Sequence, residues 1–192
     1  MVSCSDDTEK APRLCRRSFL QWGAVGALGL ILESPCFAAK PRRSPAIRTL
    51  SFYNPNTHES LKVMYWTQGN YVKKSLDRIN HLLRDYRTNE IKSIEPKLLD
   101  FLHAISLRLK SNRPFHVISG YRSPETNEML RRSSRAVARN SLHMSGKAVD
   151  IRVPGLPVKS LRRAAIDLHR GGVGYYPRPA FVHVDVGEFR YW

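Results

Sequence analysis

Polar and apolar residues alternate along some stretches of the chain and recur at helical spacing along others, and these two periods sort the sequence into elements. Arg48 to Tyr53 (R-T-L-S-F-Y) alternates as a strand, Asn54-Pro55-Asn56 supplies a turn, and Leu61 to Trp66 returns. This predicts a hairpin with His58 in solvent at its tip. Leu76, Ile79, Leu82, Leu83 and Tyr86 then fall on one face of a helix, with Arg and Asp on the other. After a turn at Thr88-Asn89 a second helix opens near Pro96, whose fixed φ suits a first helical turn. Leu98, Leu99, Leu102, Ile105 and Leu109 form its apolar stripe. Phe115 to Tyr121 reads as a strand running into Arg122-Ser123-Pro124, with Pro124 opening a third helix. Ala148 to Val153 is a half-buried strand entered through a turn at Gly146, and Val158 to Leu168 is an amphipathic helix ended by Arg170-Gly171-Gly172. Phe181 to Val186 has period 2, so Phe181, His183 and Asp185 share one face and Val182, Val184 and Val186 the other. Strands and helices mixed in this order, with no internal repeat, read as one α+β domain.

A chain of 192 residues has room for one such domain rather than two. Its net charge of +16 favours polyanions: nucleic acid, anionic headgroups or an acidic cell-wall polymer. Residues 1–38 read as an export leader. Arg16-Arg17-Ser18-Phe19-Leu20-Gln21 is a twin-arginine signal, and Gly23 to Leu32 is an apolar run too short to span a bilayer. Cys36-Phe37-Ala38 fits cleavage before Ala39. Lys10, Arg13, Arg16 and Arg17 balance Asp6, Asp7, Glu9 and Glu33, so the positive charge belongs to the chain that remains. The leader implies the Tat translocase as a partner during export, a periplasmic destination and no stable membrane span after processing. That destination, and the lack of a recognition motif, argue against nucleic acid as the partner. Residues 39–47 read as a basic linker and 48–192 as the functional domain. All three cysteines (Cys4, Cys15, Cys36) lie in the leader, so any metal in the domain must be held by His and carboxylate.

Such a constellation is present. His143 precedes the Gly146 turn, Asp150 lies in the strand that follows, and His183 lies on the polar face of the last strong strand. Two imidazoles and a carboxylate make a catalytic type of zinc site, with three protein ligands and the fourth position open. The spacing alone is not specific, since a turn histidine, a strand-end carboxylate and a core histidine would look the same. His81 and His103 lie on the first two helices, outside this pattern.

The wording around the ligands is more specific. Ser141-x-His143-x-x-Gly146-x-Ala148-x-Asp150, with Gly172-Val-Gly174-Tyr-Tyr-Pro177 ahead of His183-Val-Asp185, resembles the zinc peptidases of the D-Ala-D-Ala carboxypeptidase type, and within them the murein endopeptidases. The resemblance extends upstream to about Leu50. It implies a hedgehog/DD-peptidase-like fold: a small antiparallel sheet carrying the zinc site, with helices packed on one side. It implies one Zn²⁺ per chain on His143, Asp150 and His183, and peptidoglycan stem peptides as substrate. Endopeptidase action on crosslinks is the implied reaction, including crosslinks between two diaminopimelate residues, with DD- or LD-carboxypeptidase trimming as the alternative. Arg122, in Ser119-Gly-Tyr-Arg-Ser123, matches the arginine that steadies the substrate carbonyl, a role suited to a fixed guanidinium. Ser141 is expected beside it as a substrate contact.

The sequence departs from the relatives at one place. They commonly carry a Glu or His as general base a few residues before the last ligand, and here Tyr176-Pro-Arg-Pro-Ala180 offers neither. Asp185 is the nearest carboxylate on the same strand face and is the expected base; the alternative is that it orients a ligand imidazole. A non-catalytic wall-binding protein on the same fold also stays open. Arg131 to Arg139 holds four arginines and reads as a mobile loop, either simply solvated or a clamp for acidic glycan or peptide carboxylates.

Overall fold

The first hairpin forms where the alternation predicts it. β1 (Arg48–Asn54) pairs antiparallel with β2 (Glu59–Thr67), and every second residue from Leu50 to Asn54 and from Leu61 to Tyr65 is buried. The computed structural model describes residues 47–134 and 137–192; the stretch read as the export leader and nearly all of the linker lie outside the described residues. After a short β3 (Asn70–Tyr71) come α1 (Lys73–Leu82), α2 (Pro96–Arg108), β4 (Phe115–Ser119) and α3 (Pro124–Ser133). A 3-10 turn (Leu142–Ser145) leads into β5 (Ala148–Arg152), followed by α4 (Val158–Ile166), β6 (Gly172–Tyr176), β7 (Phe181–Asp185) and β8 (Arg190–Tyr191). Among the described residues no helix is long and apolar enough to cross a membrane.

The described strands form one eight-stranded sheet in the order β3-β2-β1-β4-β5-β7-β6-β8. It is mixed, where a small antiparallel sheet was expected: β4 runs parallel to β1, and β8 parallel to β6. The first parallel pair follows from the two helices between its strands, because parallel neighbours need a long crossover and cannot be joined by a tight turn. The second arises because the chain leaving β7 passes to the far side of β6.

One face of this sheet is apolar. Val149, Ile151, Val173, Val182 and Val184 are fully buried in one core with Leu98, Leu102 and Ile105 of α2 and Leu161 and Ala165 of α4. Each of the Val, Leu and Ile side chains contributes roughly 1.5–3 kcal/mol on burial, so the face is firmly specified. The helices α1, α2 and α4 pack against the sheet, as expected from their stripes. By alternation, Asp150 and His183 stand on the opposite face.

α1 is shorter than its apolar stripe suggested. It stops at Leu82, and Leu83 and Tyr86 lie beyond it. The carbonyls that a continuing helix would use are taken by distant donors, Leu82 O by Asn54 Nδ2 (3.2 Å) and Leu83 O by Tyr121 N (2.7 Å). Gly120 allows the second contact, since a Cβ there would sit 2.3 Å from Leu83 O. β4 carries a further irregularity. Val117 stands opposite Ile151, but Ser119 rather than Ile118 stands opposite Asp150, so β4 holds one extra residue at this point.

Candidate metal centre

Three separate segments deliver the expected ligands to one point. Asp150 and His183 are directly opposed on the paired strands β5 and β7. His143 arrives on the 3-10 turn, which Ser141 caps by accepting a hydrogen bond from His143 N on its Oγ (3.4 Å). Gly146 closes that turn at φ +67°, and a Cβ there would meet Ser93 O at 2.3 Å, so both conformation and space call for glycine. Asp150 Oδ1 lies 2.9 Å from His183 Nδ1 and 3.3 Å from His143 Nε2, and the two nitrogens are 3.2 Å apart. Tetrahedral coordination with bonds of about 2.0–2.1 Å sets ligand atoms roughly 3.3 Å apart, which is close to this triangle.

The other atom of each ring fixes which nitrogen faces the point. His143 Nδ1 is 2.7 Å from Gly120 O, a carbonyl that can only accept, so Nδ1 carries the proton and Nε2 presents its lone pair. His183 is turned the opposite way: Nε2 is 3.1 Å from Asp185 Oδ2, and Nδ1 presents its lone pair. With His183 neutral, two lone pairs and a carboxylate oxygen converge on one point, an arrangement that a divalent cation satisfies in place of a proton. The electrostatics favour positive charge at this point, a proton or a cation. Burial pushes the His183 imidazole down, but Asp150 and Asp185 outweigh it and hold it up at about 9. Burial likewise pushes Asp150 up, and the two histidines hold it well below the usual carboxylate range. The pocket attracts positive charge, and among the described residues these three side chains form the group able to share an ion.

Asp185 is not beside this point but behind His183. It is fully buried, and both oxygens are engaged. Oδ1 accepts from Gly172 N (3.1 Å) and Gly187 N (2.8 Å), while Oδ2 accepts from His183 Nε2 and from Arg190 Nη2 (2.8 Å). Burial raises its pKa, but His183 and these donors outweigh that and bring it to about 2. Each Asp185 oxygen thus accepts from at least two donors, and one of those donors is His183.

Arg122 is buried at the cleft, its Nη2 3.7 Å from Asp150 Oδ2. Its turn is tied down by buried Asp85, whose oxygens accept from Ser123 N (2.9 Å) and Arg87 N (3.0 Å). Ser123 then caps α3 by accepting from Thr126 N. Arg122 Nη1 reaches Asn127 Oδ1 and Nη2 reaches Ser119 Oγ, both at 3.4 Å, while the buried Nε has no partner among the described residues. Burial lowers the Arg122 pKa, opposed by Asp150.

Arg122, Ser141 and the three converging residues line a cavity of about 350 Å³. Three of its walls were not assigned a role from the sequence: Tyr176, Arg190 and Trp192. They arrive because β8 pairs with β6, carrying Trp192 over Gly174, where a Cβ would stand 2.7 Å from the indole ring. Gly172 is similarly crowded, its missing Cβ replaced by Asp185 Oδ2 at 2.3 Å. Glycines at alternate positions of a strand, on the ligand face, were the available signal that other side chains cross there. The segment from Arg131 differs from the expected loop: Arg131, Arg132 and Ser133 are the last turn of α3, and Arg131 and Arg132 pair with Glu128. Asn127 Nδ2 binds the carbonyls of Ala138 and Arg139, holding the far end of that segment at the cleft rim. His58 is exposed in its turn, and His81 and His103 lie on their helices away from the cleft.

Peptide hydrolysis assisted by a metal needs a group of residues able to hold the ion and a fixed positive group for the carbonyl oxygen. Both line one cavity here, and metallopeptidase is the class that the fold and the site define. Residues 42–192 match the family profile described as Peptidoglycan L,D-endopeptidase MepK, within the M15 peptidases. The chain is 43% identical over 177 residues to the Peptidoglycan L,D-endopeptidase MepK of Escherichia coli (strain K12), covering 92% of this chain and 96% of that protein. It is equally similar to the protein of the same name from Shigella flexneri. It is 40% identical over 179 residues to the Probable peptidoglycan L,D-endopeptidase MepK of Haemophilus influenzae (strain ATCC 51907 / DSM 11121 / KW20 / Rd), covering 92% and 95% of the two chains. The chain belongs to the MepK family of peptidoglycan peptidases.

Proposed function

We propose that this protein is a zinc-dependent endopeptidase that cleaves L,D peptide crosslinks between peptidoglycan stem peptides in the periplasm, reached through the Tat pathway. The observation that carries the reading is the convergence of His143 Nε2, Asp150 Oδ1 and His183 Nδ1 in a cleft also lined by Arg122. His143, Asp150 and His183 would hold one Zn²⁺, which supplies the Lewis acidity that polarises the scissile carbonyl and activates water. Arg122, held at an angle that its buried neighbours fix, stabilises the negative charge that grows on the carbonyl oxygen. Ser141 keeps His143 on its turn and faces the bound peptide. Asp185 acts through His183, holding the Nε2 proton so that Nδ1 stays free. The net charge of +16 suits a substrate whose stem peptides carry carboxylates and draws the enzyme to an acidic wall.

The test is digestion of purified sacculi by the protein lacking residues 1–38, with and without chelator, and identification of the released products. Loss of crosslinked dimers joined through an L,D bond, restored by zinc after chelation, is the expected result. Release of single D-amino acids instead would make it a carboxypeptidase, and binding without products a non-catalytic wall protein. In parallel, the His143→Ala and His183→Ala proteins should lose the roughly one equivalent of zinc found in the wild type, because two ligands rarely hold the ion against a chelator.

A further inference from the structure

Tyr176 ends β6 directly opposite Phe181 of β7, while Gly174 stands opposite His183. Tyr176 is thus the diagonal neighbour of His183 on the same sheet face, at a separation of roughly 7–8 Å that an aromatic side chain bridges. Its ring is fixed by stacking on Phe181, with centroids 4.6 Å apart and planes at 20°. Its hydroxyl is fixed as well, 3.2 Å from Trp192 Nε1. An indole N–H can only donate, so the Tyr176 oxygen accepts and its own proton is left to point elsewhere. Among the described residues, this is the one hydrogen bond that the hydroxyl makes. Tyr176 lines the same cavity as Arg122, and it is among the smaller electrostatic influences on that guanidinium, after burial and Asp150. Arg122 lines the cavity as well, with its Nη2 3.7 Å from Asp150 Oδ2.

The cleft therefore holds an anchored neutral donor, the Tyr176 hydroxyl, whose proton no described acceptor takes, beside a guanidinium fixed by Asn127 and Ser119. Its carboxylates, by contrast, are both engaged with the histidines. We propose that Tyr176 is a catalytic residue that, together with Arg122, donates a hydrogen bond to the scissile carbonyl oxygen as it becomes negative. Trp192 positions it, and Gly174 makes room for Trp192. No proton is transferred in this step; the phenol supplies a dipole aimed at charge that appears only in the transition state, which lowers the barrier without tightening substrate binding. The inference rests on the peptidase reading above and deepens it by adding a residue that the metal ligands and Arg122 do not include.

The experiment uses Tyr176→Phe, which keeps the stack on Phe181 and removes only the hydroxyl. With a soluble crosslinked muropeptide dimer, kcat should fall about 100-fold, the lower end for one oxyanion donor, with KM held within about twofold. A phosphinate that replaces the scissile amide should lose affinity by a similar factor, while zinc content and melting temperature stay at wild type. A merely structural role would act through Trp192. Tyr176→Phe and Trp192→Phe would then lose equal activity, the double variant would be no worse than either, and the phosphinate and the unreacted dimer would weaken alike. That pattern, or a Tyr176→Phe enzyme within about twofold of wild-type kcat, overturns the inference while leaving the peptidase reading intact. A wild-type protein that cleaves no dimer overturns both.

Discussion

Replacing Asp185 with Asn exchanges one oxygen for an amide nitrogen, and its surroundings say what should fail first. Donors reach the carboxylate from Gly172 N, Gly187 N, His183 Nε2 and both terminal nitrogens of Arg190. Asn has a single acceptor oxygen. If that oxygen serves the two backbone groups at 3.1 and 2.8 Å, the amide nitrogen must face His183 Nε2 and Arg190 Nη2, donor against donor. His183 can relieve the clash by moving its proton to Nδ1, the atom 2.9 Å from Asp150 Oδ1, and that proton then occupies the lone pair needed for the metal. The expected loss in zinc affinity is about 10- to 100-fold, or roughly 1.4–2.7 kcal/mol. Competition against a chromophoric chelator measures it directly. Turnover followed across a zinc titration should recover much of its wild-type value once the site is refilled. The reasoning is refuted if Asp185→Asn binds zinc as tightly as wild type yet loses about 100-fold or more of its turnover at full occupancy, the signature of a missing general base.

Arg122→Lys keeps the charge but not the planar fork held by Asn127 and Ser119, so kcat on the dimer should fall about 100-fold with zinc content unchanged. Asp100 accepts from Tyr65 and Tyr71 hydroxyls at 3.0 and 2.8 Å and from Arg48, which ties the first hairpin to α2. Burial raises its pKa, but those bonds outweigh it and keep it below the ordinary 3.8. A depressed folded value means that its stabilisation is present above the unfolded pKa and fades as pH falls through the folded one. Asp100→Asn should therefore be less stable by about 1–3 kcal/mol at neutral pH, with the gap closing below about pH 4 in urea melts. Replacing Arg16 and Arg17 with Lys should leave an uncleaved precursor in the cytoplasm, as fractionation and blotting would reveal; normal maturation would mean another export route.

Much of the site could be read from the residues, because strand alternation alone assigns His183 and Asp185 to one face, and His143 and Asp150 bracket a glycine turn. What alternation cannot give is which side of an imidazole faces the metal. That depends on Gly120 O and on Asp185, and the first comes from just past the end of β4, over twenty residues upstream of His143. The helical stripe through Leu83 and Tyr86 overran α1 for a related reason: long-range hydrogen bonds to Leu82 and Leu83 end the helix where periodicity does not. The parallel pairs β1–β4 and β6–β8 were equally hidden, since direction is set by the crossover and not by the strand's own pattern. Tyr176, Arg190 and Trp192 went unassigned because only the β6–β8 pairing brings the last two to the ligands. Their signature, glycine at 172 and 174, is a statement about what is missing.

The extra residue in β4 makes the site sensitive to chain length more than to composition. A straight β4 would set Ile118 opposite Asp150 and draw Gly120 and Arg122 back by one residue, about 3.3 Å along the strand. That shift exceeds the tolerance of any hydrogen bond described here. It would take the carbonyl from His143 Nδ1 and the guanidinium from the cleft, while Phe115 and Val117 kept their places in the core. Point substitutions at Ile118 should thus be absorbed, whereas deleting it should yield a folded chain with a dismantled centre. Insertions and deletions between Val117 and Arg122 are where a relative on this fold could lose the chemistry and keep the shape.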